Sequence, residues 1–487
     1  MRSAEKLIAV AIGVAALVLL GLVSNRPDAG SLAQPLVEAT PLNQEAHWNR
    51  TQPHVAYDST HDRYLFVWRD KRNDEPDNRW DERCDYRKKY PYYCWPNADI
   101  YGRLVAGNGD VLGPVDIHIA RDPEVGPRDQ QWPEVAYNPE RDEYLVAWQE
   151  VSPHAVPGGD DQNWYAYCYD IKARRLRSDG TFVGDPITVS EAMDCQWVPI
   201  ISYDGELHKY LLTWHDHRYR SHQDPPRDYP TKKEIFAQWL AYDGDQLVPQ
   251  TDGDFLITTD IDNPTLPALE YQQYSDIAYN AQTGDHYVFW SDDRLTPEQS
   301  EDFDVFFQRL PGGSTAAITN TPLYQAPHVQ EKPRADFNAL TGEVWAIWQS
   351  YERFGTTGRN FAVEMARLTP DGALVGGVIT VAMNTAYYPL PDIACSSLSG
   401  HCLAIWYERP PTIYYQVFDS SGGEFTEPTL LFSTTNYRWP LDQGAIANNY
   451  SGRPEFMMTF ADSGTIYFAI LPDSIPTPTT TPTPTPT

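Results

Sequence analysis

One phrase recurs along the 487 residues of this chain and limits what the chain can fold into. Tyr57, Tyr137, Tyr203, Tyr279, Phe337 and Cys395 each close a short apolar run. Each is followed eleven residues later by a tryptophan: Trp68, Trp148, Trp214, Trp290, Trp348 and Trp406. A seventh, looser copy runs from Asn448 to Phe460 and is one residue longer. A fixed period signals a repeat architecture, in which each unit covers the apolar surface of its neighbour. Within a copy, as in "HVAYD", "STHD" and "RYLFVW", two apolar runs flank a polar turn, which predicts an antiparallel hairpin.

A third run follows after a variable gap: "DIYGRLV" (residues 99–105), "DIKARRL" (170–176), "EIFAQWL" (234–240) and "DVFFQRL" (304–310). A glycine-containing turn and a fourth run, such as "PITVS", come next. Runs such as "YLFVW" are apolar on both faces, as strands covered on both sides are. Four strands per unit and seven units predict an all-β, seven-bladed β-propeller. The seventh copy stops after its third run, "TIYFAIL" (465–471), so its fourth strand is missing. The segment "QPLVEAT" (34–40) aligns with the fourth runs and is expected to complete that blade, removing an open sheet edge. The chain thus divides into residues 1–33, a propeller over 34–475, and a low-complexity Pro/Thr tail over 476–487.

On these hairpins and third strands the chain resembles seven-bladed β-propeller repeat proteins of bacterial cell surfaces, over nearly all of residues 34–475. The resemblance implies the fold and a surface location. It carries no catalytic residue with it, because propellers host unrelated functions.

The N-terminal end points to export. Residues 7–23 form an uninterrupted apolar run behind Arg2 and Lys6, which reads as an uncleaved signal-anchor helix, the alternative being a cleaved signal peptide. Either one sends the rest of the chain out of the cell, as a membrane-held or a secreted protein. A net charge of −30 excludes nucleic acid as a partner. Six cysteines in an exported chain suit disulfides. Cys395 and Cys402 occupy slots that face each other across the sixth hairpin, Cys84 and Cys94 share the longest linker, and Cys168 closes the long linker of the second repeat while Cys195 precedes the third, where a bridge is geometrically reasonable.

The linkers between strands two and three swell to about thirty residues in the first copy and shrink toward the last. They emerge, with the connections between blades, on one face, and variable loops on a rigid scaffold are where function concentrates. Their aromatic and charged residues form the candidate ligand set: Trp80, Tyr86, Trp95, Trp132, Trp164, Trp197 and Trp439, with Glu352 and Arg353. The recurring W-x-D-x-R adds Asp216 with Arg218 and Asp292 with Arg294, an Arg fork beside a carboxylate that serves equally to brace a blade. No metal is expected: His215 and His217, with His222 nearby, sit in variable slots of that motif. No cofactor is expected, apart from calcium at Asp252–Asp254 or Asp260–Asp262, whose spacing is not that of an EF-hand. The reading is a surface-displayed binding or adhesion module that recognises a glycan or protein through its long-loop face. The alternative is a glycan-active hydrolase or lyase with carboxylates in the propeller mouth. "SDGTF" (178–182) stands alone, whereas sialidases repeat such boxes.

Overall fold

The computed structural model describes residues 35–43, 50–72, 98–120, 129–152, 169–192, 195–218, 233–250, 253–259, 271–295, 303–315, 320–324, 326, 328–351, 361–383, 385, 388–408, 412–433, 442–448 (backbone only) and 454–473. These residues form seven separate antiparallel sheets, each a blade; in six of them the strands follow in sequence order, and the seventh is completed by the first strand of the chain. Blade 1 consists of Arg50–Asp58, Arg63–Asp70, Asp99–Ala106 and Val111–Ala120. Blade 3 departs slightly, because its outer strand is split into Gln246–Pro249 and Phe255–Leu256.

Closure follows the pattern expected from the sequence. In blade 7 the strands Asp442–Asn448, Glu455–Asp462 and Thr465–Pro472 are completed by Val37–Pro41, which pairs antiparallel with Thr465–Pro472. Val37 lies opposite Ile470 and Pro41 opposite Tyr467. The chain therefore enters and leaves the ring on the face that carries the short hairpin turns.

An apolar layer fills each gap between blades, which explains why the second strands are apolar on both sides. Trp68 and Phe66 pack with Phe468 and Ile470 between blades 1 and 7. Leu212 and Trp214 pack with Leu145 and Ala147 between blades 2 and 3. Five further layers complete the ring. The repeat tryptophans are wholly buried, and each such side chain contributes roughly 1.5–3 kcal/mol by leaving water. Across the hairpins the repeat tyrosines meet as ring pairs: Tyr57 with Tyr64 at 4.9 Å and Tyr137 with Tyr144 at 5.1 Å. In blade 6 the corresponding slots hold the Cys395–Cys402 disulfide.

The hairpin turns share one device. Asp58, Asn138, Asp204, Asn280 and Asn338 each accept two turn N–H groups on one side-chain oxygen, the Asx geometry that satisfies a tight turn locally. The first strands form the inner ring. Each packs against the first strands of the blades on either side, the seventh against the first. These strands run from the long-loop face to the short-turn face and wall a central channel.

Candidate functional site

The channel is built from the residues just before the repeat aromatic. Three positions upstream of it stand His54, Glu134, Ile200, Asp276, Arg334 and Asp392. One position earlier is proline in five blades: Pro53, Pro133, Pro199, Pro333 and Pro391. Proline is tolerated there because an inner edge strand has no ladder partner for that N–H. Just ahead of it the strand bulges, and Gln52, Trp132, Val198, Tyr274, Lys332 and Leu390 adopt positive φ between 42° and 56°. The bulge is held from a neighbouring strand. Gln52 Oε1 accepts Trp132 N–H, Gln149 Oε1 accepts Val198 N–H, and Ser291 Oγ accepts Lys332 N–H. This re-aims the following residue, a common use of a bulge beside a site.

The result is a cavity of about 450 Å³ lined by His54, Glu134, Asp276, Arg334, Asp336 and Asp392 together with Tyr57, Tyr137, Tyr203 and the aliphatic residues between them. His54 Nδ1 lies 2.9 Å from Glu134 Oε2, and Arg334 lies 3.3 Å from Asp276. Backbone amides of the next blade anchor two of the carboxylates: Ala335 N–H donates to Asp276 and Cys395 N–H to Asp336, both at 2.7 Å. Asp392 accepts the N–H of Ile393 at 2.9 Å.

Four carboxylates thus share the channel with one permanent cation. Burial pushes the Asp336 carboxyl up to about 7 against the pull of its two amide donors. Burial also pushes Asp392 up to about 7, although Arg334 draws it down. Asp276 is raised by the same cause, with Arg334 and the Ala335 amide opposing. Burial works against the charge on Arg334, but Asp276, Asp392 and Glu134 outweigh it and hold the guanidinium above its ordinary range. Strongly shifted groups gathered in a cleft are a recognised mark of functional sites. The sequence reading missed this set. Its signal was the unlike charges at one repeat position, where structural repeats usually hold like residues.

None of the residues expected on the long-loop face is among those that line the cavity, and most are not described. Trp80, Tyr86, Trp95, Trp164, Glu352, Arg353, Trp439, Cys84, Cys94, Cys168, His222, Asp252 and Asp260–Asp262 fall outside the described residues. So does the apolar run 7–23; among the described residues no helix is long and apolar enough to cross a membrane. Trp132 is half-buried in the bulge of blade 2. Trp197 packs against His217 and His215 at 4.9 and 5.7 Å, with the Lys233 ammonium 5.2 Å from its ring. Burial and the Lys233 charge keep both histidines neutral, His217 at about 3 and His215 well below its ordinary value. Cys195 is disulfide-bonded.

The W-x-D-x-R motifs close on themselves. Trp290 Nε1 donates to Asp292 at 2.7 Å, Arg294 donates to the same carboxylate, and the guanidinium lies 4.8 Å from the Phe306 ring. Trp214, Asp216 and Arg218 repeat this over Phe236, and Arg218 also reaches Asp254 at 2.7 Å. Both aspartates are fully buried and internally satisfied. Near the short-turn face Asp58, His61 and Asp142 come together. Arg63 sits 3.5 Å from Asp58, and Tyr137 donates to Asp142, so the trio is a hydrogen-bonded bracket between blades 1 and 2.

No family model matches the chain, and no curated protein matches it. Solved structures similar to it include a protein of unknown function from Dyadobacter fermentans, 12% identical, over 90% of this chain and 99% of that one, with a TM-score of 0.47. An alpha-L-arabinanase from Penicillium chrysogenum, complexed with arabinobiose, is 13% identical over 70% and 93%, TM-score 0.47. A mutant of NanB sialidase from Streptococcus pneumoniae is 8% identical over 93% and 72%, TM-score 0.42.

Proposed function

We propose that this is an exported carbohydrate-binding propeller whose ligand sits in the central channel. The observation that carries the reading is the cavity of about 450 Å³ into which carboxylates, Arg334 and His54 converge. Its volume falls within the range of about 300–1,000 Å³ of small-molecule sites. Carboxylates accept hydrogen bonds from sugar hydroxyls, and Arg334 donates to ring and hydroxyl oxygens. The carboxylate excess disfavours acidic sugars and suits neutral or amino sugars.

Hydrolysis is the second reading, and one observation favours it. Asp336 and Asp392, pushed to about 7, hold a proton in a large share of molecules at neutral pH. A glycosidase needs such a proton donor beside a second carboxyl group.

The chain lacking residues 1–33, applied to a broad glycan array, tests both. Retained protein reports binding, and loss of printed sugar reports turnover. Asp392→Asn is expected to lower retention at least tenfold, and W80A, W95A and W164A to leave it unchanged. The opposite pattern moves the ligand to the long-loop face, and retention of no sugar at all overturns the carbohydrate reading. Loss of sugar that disappears in Asp336→Asn or Asp392→Asn makes the protein a hydrolase.

A further inference from the structure

We propose that the channel is a blind pocket open on the short-turn face, and that it takes the terminal units of a glycan chain rather than its interior. The glycan part rests on the carbohydrate reading above; the shape of the pocket does not.

The direction of the inner strands fixes the geometry. They run from the long-loop face to the short-turn face, and the cavity lining begins midway, at His54, Glu134, Asp276, Arg334 and Asp392. It continues to Ser59 and Pro139, which stand exposed in the hairpin turns of blades 1 and 2. The mouth is therefore among the short turns. On the other side of the charged layer comes the bulge layer, and none of its six residues lines the cavity.

The charged layer is therefore the closed end of the pocket, and the bulge layer packs behind it. The Lys332 ammonium sits between two rings, 5.0 Å from Tyr274 and 4.7 Å from Tyr388. Its backbone is fixed by Ser291, that of Trp132 by Gln52, and that of Leu390 by Gln349. The five prolines immediately behind the bulge stiffen the wall further. A polymer threads a channel open at both ends through its interior; a pocket with a floor admits only an end.

The test of access needs no ligand. A thiol is placed in the cavity wall by Ser202→Cys, in a protein whose described cysteines are all disulfide-bonded. A small methanethiosulfonate reagent is expected to label it readily. The rim change S59W with P139W should slow labelling at least tenfold, whereas L295W, on an exposed residue of the long-loop side, should not. Labelling slowed by L295W and not by the rim pair overturns the proposal. Ala136→Cys gives a second thiol position should the first variant fold poorly. For chain-end recognition, linear oligosaccharides are compared with cyclic ones of the same sugar and linkage on the array. Retention of linear forms alone supports the proposal, and equal retention overturns it. An array that retains nothing counts against the carbohydrate reading, while the thiol result still decides the shape.

Discussion

Asp276 and Asp336 each reach from one inner strand to an amide of the next, so they tie adjacent blades while presenting charge to the channel. The raised carboxyl of Asp392, in the same channel, has a measurable signature. An aspartate in an unfolded chain titrates near about 3.9, and Asp392 in the fold near about 7. Between those values the folded state binds more protons, so this residue's contribution to stability falls as pH rises through the window and levels off above it. His286, buried between Trp239 and Tyr279 and lowered to about 4 by burial, acts in the opposite sense. Because it stays neutral, the fold loses stability as pH falls below about 6.5. The wild-type profile sums both, and the difference between wild type and Asp392→Asn isolates the carboxyl. In denaturant titrations that difference is expected to shift against the wild type from pH 4 to 7, by at most about 1.4 kcal/mol per pH unit. A pH-independent difference would return Asp392 to the ordinary range and remove the proposed acid. The sequence held this site as His54, Glu134, Asp276, Arg334 and Asp392 in one slot. What it did not hold is the distance across the ring that turns scattered charges into a cluster.

At the level of elements, the hairpins were legible because each carries its own instructions: apolar runs, an Asx turn and a tryptophan. The inner bulge was not, since six different residues occupy the positive-φ position and non-glycine residues give little local warning of it. The W-x-D-x-R motif shows how a suspected ligand set becomes a brace. Its Asp is buried, and in blade 4 its Arg is shared between that Asp and Asn320, which leads into the outer strand. Asp292→Ala leaves Arg294 without its buried partner and is expected to cost about 3–5 kcal/mol in chemical denaturation. A loss under about 1 kcal/mol would make the pair an ordinary surface bridge. The closing strand is the other element with a sharp consequence. Val37 packs with the layer between blades 7 and 1, and Ala39 with the layer between blades 6 and 7. Deleting residues 34–40 opens an edge and strips two interblade layers at once, so the whole propeller is expected to melt earlier. A melting curve identical to that of the full chain would show that the ring closes without this strand.

For the whole molecule, closure couples the site to whatever holds the chain. Val37 begins and Pro472 ends on the short-turn face, the face on which the cavity opens. If residues 7–23 anchor the chain, as the sequence leads one to expect, the mouth would point toward the membrane and the long loops away from it. The intervening residues 24–36 span roughly 45 Å when fully extended, enough to hold the mouth clear of the surface. Removing residues 24–33 shortens this reach to about 10 Å. Cells displaying the shortened chain are then expected to lose ligand capture at least tenfold, while the released propeller with the same deletion binds as before. Equal capture by both displayed forms would mean that the mouth does not face its attachment point. Loss of binding by the released form as well would trace the defect to the closing strand, which begins only three residues beyond the deletion. The comparison of the two forms therefore separates geometry from stability. It also tests whether a propeller closed by its first strand hides or presents the pocket at its centre.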